Sequence, residues 1–274
     1  MREDSARSKV RQRFWGKGGE VLELSRMSWV QARDAFSSAT VALLPVGSTE
    51  QHGPHLPLGT DWMTAQEIAR RAGKKGGWIV LPPVPVGVSE HHRQFWGTLW
   101  VPPEVLREYV MGIARALAFH GLRRLVLVNG HGGNTATLED AARRLRQERI
   151  YAFVYVWWRA SAEVIAQVIE SGGSHAAEME TAVALAIAPE LVHPERYGEA
   201  TAKGAPEWGK RIEGVEIGFD TVDFSGSGAT GDPSRATAEK GERILEAAAA
   251  RLDAFCRWLV AQPEEALAPK PHLP

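Results

Sequence analysis

Three short runs of uninterrupted apolar residues constrain this chain more than any other feature. Val41 to Val46, Leu125 to Val128 and Phe153 to Trp157 show no polar alternation, and a strand apolar on both sides must be covered on both sides. A fourth run, Trp78 to Leu81, stops at Pro82 and Pro83. Between and after these runs the pattern predicts helices over about Trp62 to Lys75, Pro103 to His120 (opened by Pro102-Pro103 and ended by Gly121), the residues following Asn134, Ala162 to Glu170, Glu178 to Ala188 and Ala236 to Trp258. Strands alternating with helices of this length predict an α/β fold, a three-layer α/β/α sandwich around a mainly parallel sheet. No internal repeat interrupts it. The expected organisation is a polar lead-in over residues 1–38, one domain over 39–262 and a proline-rich tail over 263–274, extended or disordered. Residues 194–233 are glycine-rich and are expected to hold loops and short strands.

Charge and cysteine content narrow the classes of partner. With 32 Lys plus Arg against 33 Asp plus Glu, the net charge of −1 gives no field to gather the chain onto nucleic acid or an anionic membrane. Arg2, Arg7, Lys9, Arg11 and Arg13 have no apolar run behind them, unlike a signal peptide or anchor. The single cysteine, Cys256, excludes an intramolecular disulfide, which suits the cytoplasm. A small molecule is the expected partner.

Residues able to bind metal or move protons gather in five segments: Glu50 to His55, Asp61, Ser89 to His92, Asn129 to His131, and His175 to Glu180. Ligands in open α/β sheets collect at the carboxyl ends of strands. The first segment follows Val41 to Val46 directly, and the fourth follows Leu125 to Val128. Glu50 and His52, two apart, share one side of an extended chain, and Asp61 lies at the entrance to a helix. Such a set of carboxylates and imidazole suits zinc, manganese or iron. Each residue also has a structural reading: Asp61 as a helix cap, His52 and His55 as hydrogen-bonded core histidines, Glu178 and Glu180 as first-turn carboxylates matched to a helix dipole. Their concentration immediately after apolar strands favours the metal.

The run Leu44-Pro45-Val46-Gly47-Ser48-Thr49-Glu50-Gln51-His52-Gly53-Pro54-His55-Leu56-Pro57 with Asp61, the block Asn129-Gly130-His131-Gly132-Gly133-Asn134, and His175-Ala176-Ala177-Glu178-Met179-Glu180-Thr181 resemble the three signature blocks of the creatininase family. Weaker agreement spans about residues 40 to 250. The resemblance implies a metal-dependent hydrolase of cyclic or formyl amides with two divalent ions per subunit, assembled as a homohexamer. It implies that Glu50 and His131 hold one ion, that His52 helps hold the second, that Asp61 bridges them, and that His175 moves the proton at the scissile bond. Creatinine-cleaving members carry a glutamate ligand where this chain has Gly133, so Glu180 is the best replacement ligand and, with His175, a catalytic candidate, the alternative being a single stable metal with a weak second site. They also carry a Trp-Asp pair where Ser171-Gly172 stands, which argues against creatinine as substrate. Ser89, His91, Gly132 and Gly133 are the candidates for substrate contact, and Trp96, Trp100, Trp157 and Trp158 for an aromatic wall. Branches with the Gly-His-Gly-Gly-Asn form include nucleotide deformylases, a peptide-trimming branch and a hydrolase of cyclic inositol ketones.

Two rival readings exist. A phosphate-cradling nucleotide module would use Gly130, Gly132 and Gly133, but the next glycine of that pattern is Thr135, and the following strand ends in Trp158-Arg159 without a ribose-binding carboxylate. A non-catalytic small-molecule binder is opposed by Glu50, His52, Asp61, His131 and His175 occurring together.

Overall fold

The computed structural model describes residues 21–271. In chain order the elements are β1 (Leu22–Glu23), α1 (Trp29–Phe36), β2 (Ala42–Val46), α2 (Thr60–Gly76), β3 (Ile79–Val80), α3 (Pro103–Phe119), β4 (Arg124–Asn129), α4 (Thr135–Gln147) and β5 (Tyr151–Val156). There follow α5 (Trp157–Ala160), α6 (Ala162–Val168), α7 (Glu178–Ile187), α8 (Tyr197–Ala202), the hairpin β6 (Arg211–Ile212) and β7 (Val215–Glu216), α9 (Ala238–Ala261) and α10 (Glu264–Leu267).

The first five strands form one sheet in the order β1-β3-β2-β4-β5, every pair parallel. Successive strand residues face opposite layers. Leu43 packs with Ile68 of α2 and Ile244, Leu245 and Leu252 of α9, while Leu44 packs with Leu106 and Val110 of α3 and Leu138 and Leu145 of α4. This two-sided burial makes β2 and β4 read as continuous apolar runs. After β2 the chain goes to β3 on one side, then crosses to β4 on the other. The loops leaving β2 and β4 therefore diverge, opening a crevice at the strands' carboxyl ends.

Two glycines bring α2 down onto that crevice. A Cβ on Gly47 would lie 2.3 Å from the Trp62 amide nitrogen, and one on Gly130 would lie 2.2 Å from the Asp61 carbonyl oxygen. Only glycine at the ends of β2 and β4 lets the first turn of α2 touch both strand exits, which sets Asp61 between them.

Two segments differ from expectation. Residues 21–38 of the lead-in contain β1, an edge strand paired with β3, and α1, opened by a capping box between Ser28 and Gln31; residues 1–20 lie outside the described residues. The tail, expected to be extended or disordered, instead forms the helical turn α10 and buries Leu267 in the α9 layer. The Arg146 guanidinium donates to the carbonyls of Leu267 and Ala268, 2.7 Å each, and holds it there. Residues 272–274 are outside the described residues. Among the described residues no helix is long and apolar enough to cross a membrane.

Gly130→Ala is expected to destabilise the fold by about 1–3 kcal/mol through overpacking. Gly112→Ala, in the interior of α3 with nothing within 4 Å of a new Cβ, should stabilise it by roughly 0.5–1 kcal/mol. Denaturant melts of the two variants check this, and equal midpoints would show that the approach of α2 imposes no constraint.

Candidate metal centre

The loop after β2 is closed by a hydrogen bond from the Glu50 amide to the Leu58 carbonyl, 2.9 Å, which turns Glu50 and His52 back over the strand ends. Asp61 is not the cap of α2: that position is Gly59, without a side-chain bond. The Asp61 carboxylate instead spans the crevice, Oδ1 lying 3.0 Å from His52 Nε2 and Oδ2 3.1 Å from His131 Nδ1. His131 leaves β4 with its amide bonded to the Asn129 side chain, 3.2 Å, and its Nε2 donating to the Val88 carbonyl, 2.9 Å. That second bond fixes the tautomer and turns Nδ1 to Glu50 Oε1, 3.1 Å, and to Asp61.

The third block enters from the start of α7. Glu180 Oε2 accepts from the Ala176 amide at 2.6 Å and faces His52 Nε2 at 3.7 Å and His175 Nδ1 at 4.0 Å. Glu178, one turn-face away, does not enter the centre. It is buried, its Oε2 accepts from the amides of Glu170 and Ser171 and from the Ser171 hydroxyl, and its Oε1 pairs with Lys240. It thereby ties down the loop that carries His175, at the place where Ser171-Gly172 stands.

Gln51 Oε1 accepts from the Gly53 amide, so its Nε2 is the donor toward His92 Nδ1, 2.7 Å. His175 Nε2 meets Gln51 twice, lying 2.9 Å from its backbone carbonyl and 2.9 Å from its side-chain amide nitrogen, while His175 Nδ1 faces Glu180.

The charges of the cluster call for cations. Both Glu50 oxygens, Asp61 Oδ2 and His92 Nε2 are buried without a hydrogen-bond partner, a costly state for groups removed from water. Three overlapping sets place ligand atoms within 4.8 Å of one another: Glu50, Asp61 and His131; His52, His175 and Glu180; and Glu50, His92 and His175. Burial would raise the Glu50 pKa, but the His131 and His92 imidazoles hold it well below the usual carboxylate range. Burial would lower that of His52, but Asp61 pushes it up to about 10, and Glu50 and Asp61 likewise hold His131 well above its ordinary value. Burial together with His52 and His92 pushes His175 well below its usual value. Burial raises Glu180 to about 7. Protonated imidazoles thus supply the positive charge that a divalent ion would supply, and the donor set fits such an ion.

The structure brings together Glu50, His52, Asp61, His131, His175 and Glu180. The substrate candidates fare differently. Ser89 is buried, its hydroxyl shared between Ser48 and the Leu99 carbonyl, and it presents nothing to a ligand. His91 is half-buried and stacks on His131, and burial beside His92 pushes its pKa down to about 4. Gly132 is exposed with free space around it, whereas a Cβ on Gly133 would lie 2.3 Å from the Val88 carbonyl and 2.6 Å from His131 Nε2. No glutamate fits there without displacing Val88. Trp157 is buried in the α9 layer and Trp158 packs against it, while Trp96 and Trp100 are exposed. The sequence reading missed His92, which faces Glu50 Oε1 at 3.3 Å, and Trp208, whose ring edges against His91, His92 and His175. His92 lies in a segment the motif reading singled out, but in a 3-10 turn no simple period says which of two adjacent histidines faces inward.

Removing divalent ions with a chelator is expected to lower the melting temperature, because ions bound only by the folded chain stabilise it, by about 2.7 kcal/mol at a hundredfold excess over Kd. Unchanged melting after complete metal removal, verified by elemental analysis, would contradict a metal centre here.

Comparison with known proteins agrees with this geometry. The family profile Creatininase, described as creatinine amidohydrolase, matches residues 25–256. A mycofactocin precursor peptide peptidase of Mycobacterium ulcerans is 37% identical over 214 residues, covering 74% of this chain and 79% of the relative. A creatinine amidohydrolase of Pseudomonas putida is 30% identical over 225 residues, covering 75% and 84%. A crystal structure of creatinine amidohydrolase superposes with a TM-score of 0.77 at 26% identity, covering 89% of this chain and all of the other, and creatininases solved in a manganese form and, as a variant, a zinc form superpose with 0.76. Carboxylates and imidazoles gathered at the exits of β2 and β4, on a sheet shared with these hydrolases, place the chain in the creatininase family.

Proposed function

We propose that this protein is a metal-dependent hydrolase of an amide carbon–nitrogen bond in a small cyclic or formyl amide, working with a dinuclear centre. The observation that carries the proposal is the Asp61 carboxylate, one oxygen on His52 and the other on His131, each histidine belonging to a separate ligand set. Glu50 and His131 would hold one ion, His52 and Glu180 the other, with Asp61 between them. The solved manganese and zinc creatininases support divalent ions in this role. Such ions, when bound, polarise an amide carbonyl and make water a nucleophile at neutral pH.

The chain's own residues handle the proton. His175 is held neutral by burial, and with its Nε2 against Gln51, Nδ1 is the atom left to take a proton from the attacking water and return it to the leaving nitrogen. The Ala176 amide fixes Glu180, and Gln51 orients His92. A second reading, a peptide amide as substrate, is favoured by the 37% identical peptidase relative. A homo-oligomer is supported by exposed Trp29, Tyr109 and Phe119 on α1 and α3.

Elemental analysis per subunit tests the centre. About two ions in the wild type, about one in Glu180→Ala and fewer still in Asp61→Ala are expected. His175→Ala should keep both ions and lose roughly 10²–10⁴-fold in kcat on the amide it cleaves, the usual weight of a general acid–base. One ion in every variant would reduce the centre to a mononuclear one, and none in the wild type would leave a binding protein.

A further inference from the structure

The centre is almost dry, and its least buried side chains, Glu180 and His175, mark its opening. Glu50 and His52 are fully buried, whereas the side chains of Glu180 and His175 keep 14% and 9% of their exposure. Trp208 stands at that opening. Its ring centroid lies 5.4 Å from that of His175, 5.6 Å from His92 and 5.8 Å from His91, edge-on to all three, and 5.2 Å from Phe224 behind it. The indole is nonetheless 37% exposed, so one part of it covers the imidazoles and another is open to whatever approaches them.

The segment carrying Trp208 is anchored to the centre. The amides of Ile217 and Gly218 donate to the Lys210 carbonyl, and Thr221 Oγ1 meets His92 Nδ1 at 2.9 Å. The Asp220 carboxylate accepts from both terminal nitrogens of Arg93 and from Gln94, so the arginine beside His92 is already engaged by a carboxylate and is poorly placed to receive a phosphate. Around these anchors Phe219 (75%), Val222 and Ile217 on one segment and Trp96 (99%) on the other are exposed apolar side chains, set among the exposed polar side chains of Glu207, Lys210, Asp223 and Arg93. Neither the sequence motifs nor the activities of the relatives assign Trp208 a role.

We propose that Trp208 is the specificity-determining wall of the site, packing against an apolar or aromatic group attached to the scissile amide, so that the substrate class is a hydrophobic amide and not a phosphate-bearing one. This rests on the hydrolase reading above for the position of the scissile bond. Aromatic side chains gain from offset or edge-on contact beyond the area they bury, and the open part of the indole offers that contact next to His175.

The test uses hydroxamates, which bind metal centres without turnover. Titration calorimetry of the metal-loaded protein compares phenylacetohydroxamate with acetohydroxamate. The wild type should bind the aromatic compound about tenfold more tightly, or 1.4 kcal/mol. Trp208→Ala should bring the ratio near one, with metal content and acetohydroxamate affinity unchanged, and Trp208→Phe should retain most of it. Should the alanine variant lose metal, Trp208→Leu reads the same ratio and is expected to fall between. A wild type without preference, or the full wild-type preference surviving in Trp208→Ala or Trp208→Leu, overturns the proposal. If the loaded protein cleaves none of a panel of hydantoins, N-formyl amino acids and blocked dipeptides yet shows the hydroxamate preference and its loss, the hydrolase reading fails and Trp208 stands. If it cleaves unsubstituted and benzyl-substituted members equally well, Trp208 fails alone.

Discussion

Three carboxylates, Glu50, Asp61 and Glu180, converge where β2 and β4 end, with almost no water to solvate them. Burying one unpaired charge costs several kcal/mol, and three near each other cost more. The rest of the local structure answers that constraint. Imidazoles crowd the carboxylates, His52 and His131 hold protons far above their ordinary range, and His175 and His91 are pushed the other way by burial and, after it, by the charged imidazoles beside them. The oxygens of Glu50 and Asp61 face only imidazoles and are the donor atoms that a divalent ion would take.

Such a cluster persists only on a rigid support. The sheet supplies it: β2 and β4 pair over five residues with both faces covered, so their exits have little freedom. Gly47 and Gly130 let α2 rest on those exits, which places a carboxylate from a helix beside histidines from two loops. The third block is held by a different device, the buried Glu178 bonded to Ser171 and paired with Lys240 of α9. Residues that never touch a ligand thus decide where His175 and Glu180 stand.

The centre and its approach belong to different parts of the chain. The candidate ligands come from strand ends and from the start of α7. The approach is built by residues 206–224 and 90–96, tied by Arg93–Asp220 and Thr221–His92. Within the shared block itself, Gly133 has no room for a side chain because the Val88 carbonyl and the His131 ring occupy that space. The backbone around position 133 therefore leaves no place for a carboxylate, and Glu180 is a carboxylate that faces His52.

Much of this was legible in the amino-acid sequence. Apolar runs unbroken by polar residues must be two-sided strands, helix breakers and caps are local, and together they determine a parallel sheet in an α/β/α sandwich. Motif spacing at the ends of two runs picks out Glu50, His52, Asp61 and His131, since consecutive residues leaving a strand share its crevice. Tertiary structure alone decided the rest: His92 over His91, Ser89 turned away, Trp208 rather than Trp157 beside the imidazoles, and the docked turn at Glu264–Leu267. Each depends on segments distant in sequence coming into contact, as Thr221 does with His92 and Arg146 with Leu267. Local pattern carries the period of a strand or helix, whereas the facing of a side chain in an irregular loop is set by whatever packs against it.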